Sequence, residues 1–261
     1  WANKEVKTHA DEKGGWELQI TTPAASFEEY TLTLTDGEQS VTLQHLLIGE
    51  VWLCAGQSNM VMPLNGFDYC PISDSNNVIA DAPNHPGIRM VTIKPTVKLS
   101  PQEYAEGSWQ QPTTENAPKF SAAAYHYALT LQRTLQIPIG VITCAWGGSR
   151  VEGWLPKEIL QTYKDEDLTL IGSDKTPVYL QSMLMYNGIL YPCHKYTIKG
   201  FIWYQGESNV RSSRTYAERL ATMVKHWRSI WKQGDLPFYY VEIVPFACEY
   251  KEDGYIGALL R

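Results

Sequence analysis

The chain has 261 residues, with 22 Lys and Arg against 28 Asp and Glu for a formal charge of −6, and 44% of it is apolar. A chain of this length and mix buries a real core in one or two domains, which excludes a disordered, collagen-like or disulfide-scaffold protein. Mild acidity with scattered basic residues argues against nucleic acid or anionic lipid as main partner, and no apolar run approaches the ~20 residues of a membrane span.

Residues 1–47 read as β structure. Apolar and polar residues alternate over 16–20 and 30–35, and Asp36-Gly37 makes a tight turn into Ser40-Val41-Thr42-Leu43, so a hairpin is expected. Two or three strands cannot bury a face alone, which makes this segment part of a small accessory β-sandwich module. From residue 48 to 261 strands alternate with helices. Buried strands are expected at 50–55, 139–145, 200–204 and 238–244. One helix carries the stripe Phe120, Ala124, Tyr127, Leu131 and Leu135 and ends before Pro138; another carries Tyr216, Leu220, Met223, Trp227 and Trp231, with Thr215 and Glu218 as its capping box. Strands joined by such helices imply right-handed crossovers and a parallel, doubly wound α/β sheet. Residues 62–111, rich in Pro, Asn, Asp and Ser, read as a long surface excursion, and 161–178 as a loop. The five cysteines include no C-x-x-C pair; Cys54 and Cys144 fall in apolar runs, as small buried hydrophobes do.

Three of the expected strands run directly into loops of small and polar residues: Gly56-Gln57-Ser58-Asn59-Met60, Trp146-Gly147-Gly148-Ser149-Arg150 and Gln205-Gly206-Glu207-Ser208-Asn209. In an open parallel sheet all three emerge at the carboxyl edge, where such folds bind ligands. Ser58 sits between a strand and a helix start, the placement a serine nucleophile needs, although a Gly-x-Ser there also serves as a turn with a helix cap. Met60 replaces the last glycine of G-x-S-x-G, which speaks against an α/β-hydrolase elbow. The Ser58 N–H, a Gly147 or Gly148 N–H and the Gln205 amide are three donors that could surround one oxyanion. No phosphate-binding glycine motif occurs.

The run from Gly49-Glu50-Val51-Trp52 to Gly56-Gln57-Ser58-Asn59-Met60, together with Trp146-Gly147-Gly148-Ser149 and Ile202-Trp203-Tyr204-Gln205-Gly206-Glu207-Ser208-Asn209, closely resembles the sialate O-acetylesterase branch of the SGNH hydrolases. The likeness runs over residues 45–261. It implies a flavodoxin-like three-layer α/β/α esterase with an accessory β domain, which removes acetyl groups from sugar hydroxyls without metal or cofactor and works outside the cytoplasm. It further implies Ser58 as nucleophile and Ser58, Gly147, Gly148 and Gln205 as the oxyanion hole. Gln57, Asn59, Glu207 and Asn209 fall in the same motifs as supporting or substrate-contacting residues. Glu207 is either a general base or a loop brace. Tyr186-Asn187-Gly188 resembles a further segment near the cleft, with Asn187 as a sugar contact. Trp154 and Trp203 are candidates for a stacking platform or for the core. The first-choice substrate is an O-acetylated sialic acid, with acetylated xylan or another plant glycan next; a catalytically silent glycan-binding module is the reading of another class. The oligomeric state stays open.

The base is absent from the expected place. The family supplies His and Asp from an Asp-x-x-His motif, and the residues three before the six histidines are Val6, Thr42, Ala82, Ala123, Tyr191 and Met223. His126 and His226 read as helix-surface residues, His9 and His45 lie in the β segment, and His85 and His194 lie in loops. The expectation is that the catalytic His and Asp lie beyond Arg261, past a helix starting near Gly257-Ala258-Leu259-Leu260, and that these residues alone retain only the rate an oxyanion hole supplies.

Overall fold

The computed structural model describes residues 4–244 and Leu260; Cys248 and the expected helix start at 257–261, Leu260 apart, lie outside the described residues. Two strands, β1 (Ser26–Thr35) and β2 (Ser40–Ile48), form an antiparallel ribbon. Its turn is built as the sequence dictates: the Asp36 carboxylate accepts the N–H groups of Glu38 (2.9 Å) and Gln39 (2.7 Å), and Gly37 takes φ +98°. These N–H groups hold the Asp36 carboxyl below its usual pKa. Residues 16–20 form no strand. Their alternation finds no neighbouring backbone to pair with, and Trp16 is exposed.

After the ribbon come β3 (Glu50–Gly56), a single helical turn α1 (Ser58–Val61), α2 (Ser75–Asp81) and β4 (Ile88–Thr92). They are followed by α3 (Ala122–Leu135), β5 (Ile139–Ala145), α4 (Lys157–Leu160), β6 (Gly200–Tyr204), α5 (Ser213–Trp231) and β7 (Phe238–Tyr240). The five strands β3 to β7 make one parallel sheet in the order β4-β5-β3-β6-β7, so β3 is central and the chain reverses direction across it. That is the topological switch point of a doubly wound sheet.

The two faces are separated by strand alternation. Leu53, Ala55, Ile142, Cys144, Phe201 and Trp203 face α5, while Trp52, Cys54, Ile139, Val141 and Ile202 face α3. On the α5 side Trp203 meets Trp154 and Trp227 edge-on, with centroids 5.9 and 5.6 Å apart. Trp154 and Trp203 are therefore core residues and not a stacking platform. The Cys144 and Cys193 sulfurs lie 3.9 Å apart in this layer as free thiols, and burial pushes the Cys54 thiol up to about 12, so none is a ready nucleophile.

Three further differences from expectation have physical reasons. The excursion 62–111 contains β4, five residues against the outer edge of β5, whose short run is embedded in Pro and Gly and carries too little periodicity to stand out. The last strand ends at Tyr240 rather than 244, because it pairs only with the five residues of β6. The capping box at Thr215 is not made: α5 starts at Ser213, and the Thr215 hydroxyl, inside the first turn, donates to the Ser212 carbonyl at 3.1 Å. Among the described residues no helix is long and apolar enough to cross a membrane.

His226 of α5 is half-buried, its Nε2 2.9 Å from the Tyr186 hydroxyl; burial lowers its pKa, and the Glu158 charge opposes this only in part. The folded protein thus binds this proton less readily than the unfolded chain, so stability is full above about pH 6.5 and falls as pH drops below it. Denaturant titration at pH 7.5 and 5.5 should show a loss at the lower pH that is smaller in His226→Gln, which keeps a hydrogen-bonding group but does not titrate.

Candidate active site at the carboxyl edge

The loops after β3, β5 and β6 converge because their strands are adjacent and parallel. Gly56 permits the closest approach: with φ +148°, it passes so near β6 that a Cβ would lie 2.1 Å from the Tyr204 carbonyl oxygen. The chain then turns through Gln57 into α1, placing Ser58 half-buried at the first helical position. Gln57 is buried and ties the first loop to the third, its Oε1 accepting the N–H groups of Gly206 (3.2 Å) and Ser208 (3.4 Å). Asn59 makes a second tie, its Nδ2 donating to Glu207 Oε1 at 2.6 Å.

The second loop lies against the first. A Cβ placed on Gly147 would stand 4.0 Å from the Ser58 Cβ, with no nearer obstacle, so Gly147 leaves its backbone open beside the serine. Gly148 instead takes φ +74° with the Tyr179 ring across its α-carbon. The N–H groups of Ser58 and Gly147, and the Ser58 hydroxyl, have no hydrogen-bond partner among the described residues. A recess of about 180 Å³ opens beside Gly147, walled by Val61, Thr143, Ala145 and Trp146.

The third loop departs from expectation. Gln205 is buried, and both of its amide N–H groups are committed, to the Ser149 carbonyl at 3.0 Å and to Asn209 Oδ1 at 2.8 Å, while the Tyr216 hydroxyl donates to its Oε1 at 3.0 Å. In this conformation Gln205 has no free donor for an oxyanion; it clamps the second loop to the third. Asn209 is likewise a brace, accepting the Val151 N–H at 2.9 Å and donating to Glu152 Oε2 at 3.0 Å. Asn187 is no sugar contact: it is buried, and its amide donates to the Lys98 carbonyl at 3.1 Å. Glu207 is not held by backbone amides. One carboxylate oxygen holds Asn59, and the other, Oε2, is buried with no partner.

Beneath these loops lies an ion network not anticipated from the sequence. Glu152 is fully buried and accepts from Arg219 of α5. Arg219 also bonds both Asp165 oxygens at 2.7 Å and lies 4.7 Å over the Tyr163 ring. Burial alone would lower the Arg219 pKa, but Glu152, Asp165 and Glu166 around it raise it above its ordinary value, so it stays charged. Arg150 pairs with Glu166 at 2.8 Å and stands 3.8 Å from Glu152. An Arg on the apolar stripe of α5 was the available signal, since a charge there must be paired inside.

No histidine hydrogen-bonds Ser58. His85 lies 2.9 Å from Asp81, His194 lies 2.6 Å from the Tyr191 carbonyl, His45 pairs with Glu29, and His226 is held by Tyr186. His9 and His126 are exposed.

Comparison with known proteins gives a consistent picture. The family model for carbohydrate esterases described as sialic acid-specific acetylesterases matches residues 48–255. Curated sialate O-acetylesterases from Pongo abelii and Homo sapiens are each 27% identical over 241 residues, which cover 88% of this chain and 45% of theirs. The chain thus spans about half the length of these relatives. A crystal structure of a carbohydrate acetylesterase from Xanthomonas citri superposes with a TM-score of 0.85 at 30% identity, covering 96% of this chain and 54% of that one.

Two outcomes follow from the geometry. Arg219→Leu leaves Glu152 without its closest cation and should cost about 3–5 kcal/mol in chemical denaturation. Gly148→Ala, at positive φ against Tyr179, should cost about 1 kcal/mol or more, whereas Gly147→Ala should barely move the unfolding midpoint.

Proposed function

We propose that this chain, which belongs to the sialic acid-specific acetylesterase family of carbohydrate esterases, carries the nucleophile half of a serine O-acetylesterase acting on acetylated sugars. The observation carrying this reading is the open backbone of Gly147 beside Ser58, with two unengaged N–H groups next to an unengaged hydroxyl. The Ser58 oxygen attacks the acetyl carbonyl carbon, and its proton passes to a base. The carbonyl oxygen becomes an oxyanion that accepts from the Ser58 and Gly147 N–H groups, each donor being worth about 2.7–4 kcal/mol of barrier in comparable sites. Collapse breaks the ester bond, the sugar oxygen leaves with the proton returned by the base, and acetyl-Ser58 is then hydrolysed to acetate. The recess beside Gly147 receives the acetyl methyl.

None of the six histidines stands at Ser58, so the base is assigned to a histidine outside these 261 residues. The unpartnered Glu207 Oε2 is the acceptor that would hold its second ring nitrogen. Gln205 and Asn209 are positioning residues. An O-acetylated sialic acid is the first-choice substrate, in line with the names of the curated relatives, and acetylated xylan is the next. Work outside the cytoplasm is proposed with it.

The test uses the full natural chain with p-nitrophenyl acetate, followed by mass spectrometry of trapped enzyme and by acetate release from a panel of acetylated sugars. Ser58→Ala should lower turnover by on the order of 10⁴-fold or more without loss of fold, and the parent should show an acetyl adduct at Ser58. Turnover equal to the parent's in Ser58→Ala would contradict the assignment. Absence of turnover in the folded parent would favour a silent glycan-binding module.

A further inference from the structure

At the opposite end of the sheet, the amino edge, lies a cavity of about 490 Å³ between the ribbon and the starts of β3, β4 and β5. Its volume is in the range of small-ligand sites. It is separated from Ser58 by the seven residues of β3, or about 20 Å at the rise of a strand, so it is not part of the esterase cleft.

Two aromatic rings line it. Trp109 and Tyr196 have centroids 5.9 Å apart and planes tilted by 43°, which makes an open V, and they remain 38% and 46% exposed. Both are held from behind. The Trp109 indole lies over Gly140, where a Cβ would come within 3.3 Å of the ring, and the Tyr196 carbonyl accepts the Trp231 N–H at 3.0 Å. Preformed, partly exposed rings on a rigid support lose little entropy when a ligand covers them.

The charged groups around the rings are already balanced. Arg89 lies 3.5 Å from Glu29, which also pairs with His45 at 2.7 Å. Glu50 lies 3.5 Å from Lys199 and accepts the Trp52 N–H at 3.1 Å. A charged ligand would have to compete with these pairs, whereas a neutral one need not. The amides of Gln44 and Gln111 line the same cavity and can both donate and accept. Exposed rings offering apolar faces, beside amides and no unbalanced charge, fit a flat, neutral, polyhydroxylated molecule.

We propose that this cavity is a second carbohydrate site, which binds a segment of neutral saccharide between Trp109 and Tyr196, independently of the catalytic edge. The test is calorimetry of the full natural chain with ester-free cellohexaose and xylohexaose, and with hexagalacturonate as the charged comparator. Saturable binding of at least one neutral hexasaccharide is expected, at least tenfold tighter than the uronate. Trp109→Ala and Tyr196→Ala, each checked for a retained cooperative unfolding transition, should weaken it at least tenfold, and Trp109→Phe should restore most of the affinity. No binding of either neutral hexasaccharide, unchanged affinity in both alanine variants, or preference for the uronate would overturn the proposal. None of these outcomes depends on Ser58 turnover, so this inference and the esterase reading stand or fall separately.

Discussion

Asn209 is the residue through which the catalytic edge is assembled. Its side chain accepts the Val151 N–H and a Gln205 N–H and donates to Glu152, so one amide joins the segment after β5 to the loop after β6 and rests both on a buried carboxylate. Glu152 is tolerable there only because Arg219 reaches it from α5. A buried charge pair of this kind is weak evidence for added stability, since the desolvation of both ions offsets much of their attraction. Its value here is geometric. It fixes where the third loop lies relative to the second, and through the Gln57 and Asn59 ties it fixes both relative to Ser58.

The same network explains why a catalytic-looking amide has been turned inward. An Asn or Gln after a strand at the carboxyl edge could serve an oxyanion or could satisfy the backbone of its neighbours, and the sequence does not distinguish the two. The difference lies in the partners: the Ser149 carbonyl and Asn209 Oδ1 take both Gln205 donors, and the Tyr216 hydroxyl fixes which end of the amide faces which way. Glu207 shows the reverse. A loop carboxylate is usually satisfied by backbone N–H groups, yet its Oε2 is buried without a donor, a state that costs about 1–3 kcal/mol and is kept when another group is meant to fill it.

The parallel sheet was legible because β3, β5 and β6 are apolar runs bounded by glycine or polar loops, and strand handedness then leaves few topologies. The convergence of Ser58, Gly147 and Gln205 was legible for the same reason. What escaped were features decided by tertiary partners. β4 is a five-residue edge strand inside a Pro- and Asn-rich stretch. Residues 16–20 alternate like a strand but meet no other backbone. Trp154, Trp203 and Asn187 belong to motif-like segments, yet burial and not exposure decided their use. The Glu152–Arg219 pair joins residues 67 apart in sequence, and no local pattern announces such a contact.

The account's central claim is that Ser58 and Gly147 present the oxyanion donors while Gln205 holds the loops. A crystal structure of the full natural chain with Ser58 phosphonylated by an alkyl phosphonate tests it most directly, because the phosphonyl oxygen stands where the oxyanion would. The account requires that oxygen to lie about 2.7–3.1 Å from the Ser58 and Gly147 nitrogens, with the Gln205 amide still bonded to the Ser149 carbonyl and Asn209. A phosphonyl oxygen bonded to Gln205, with the Gly147 nitrogen turned away, would contradict it.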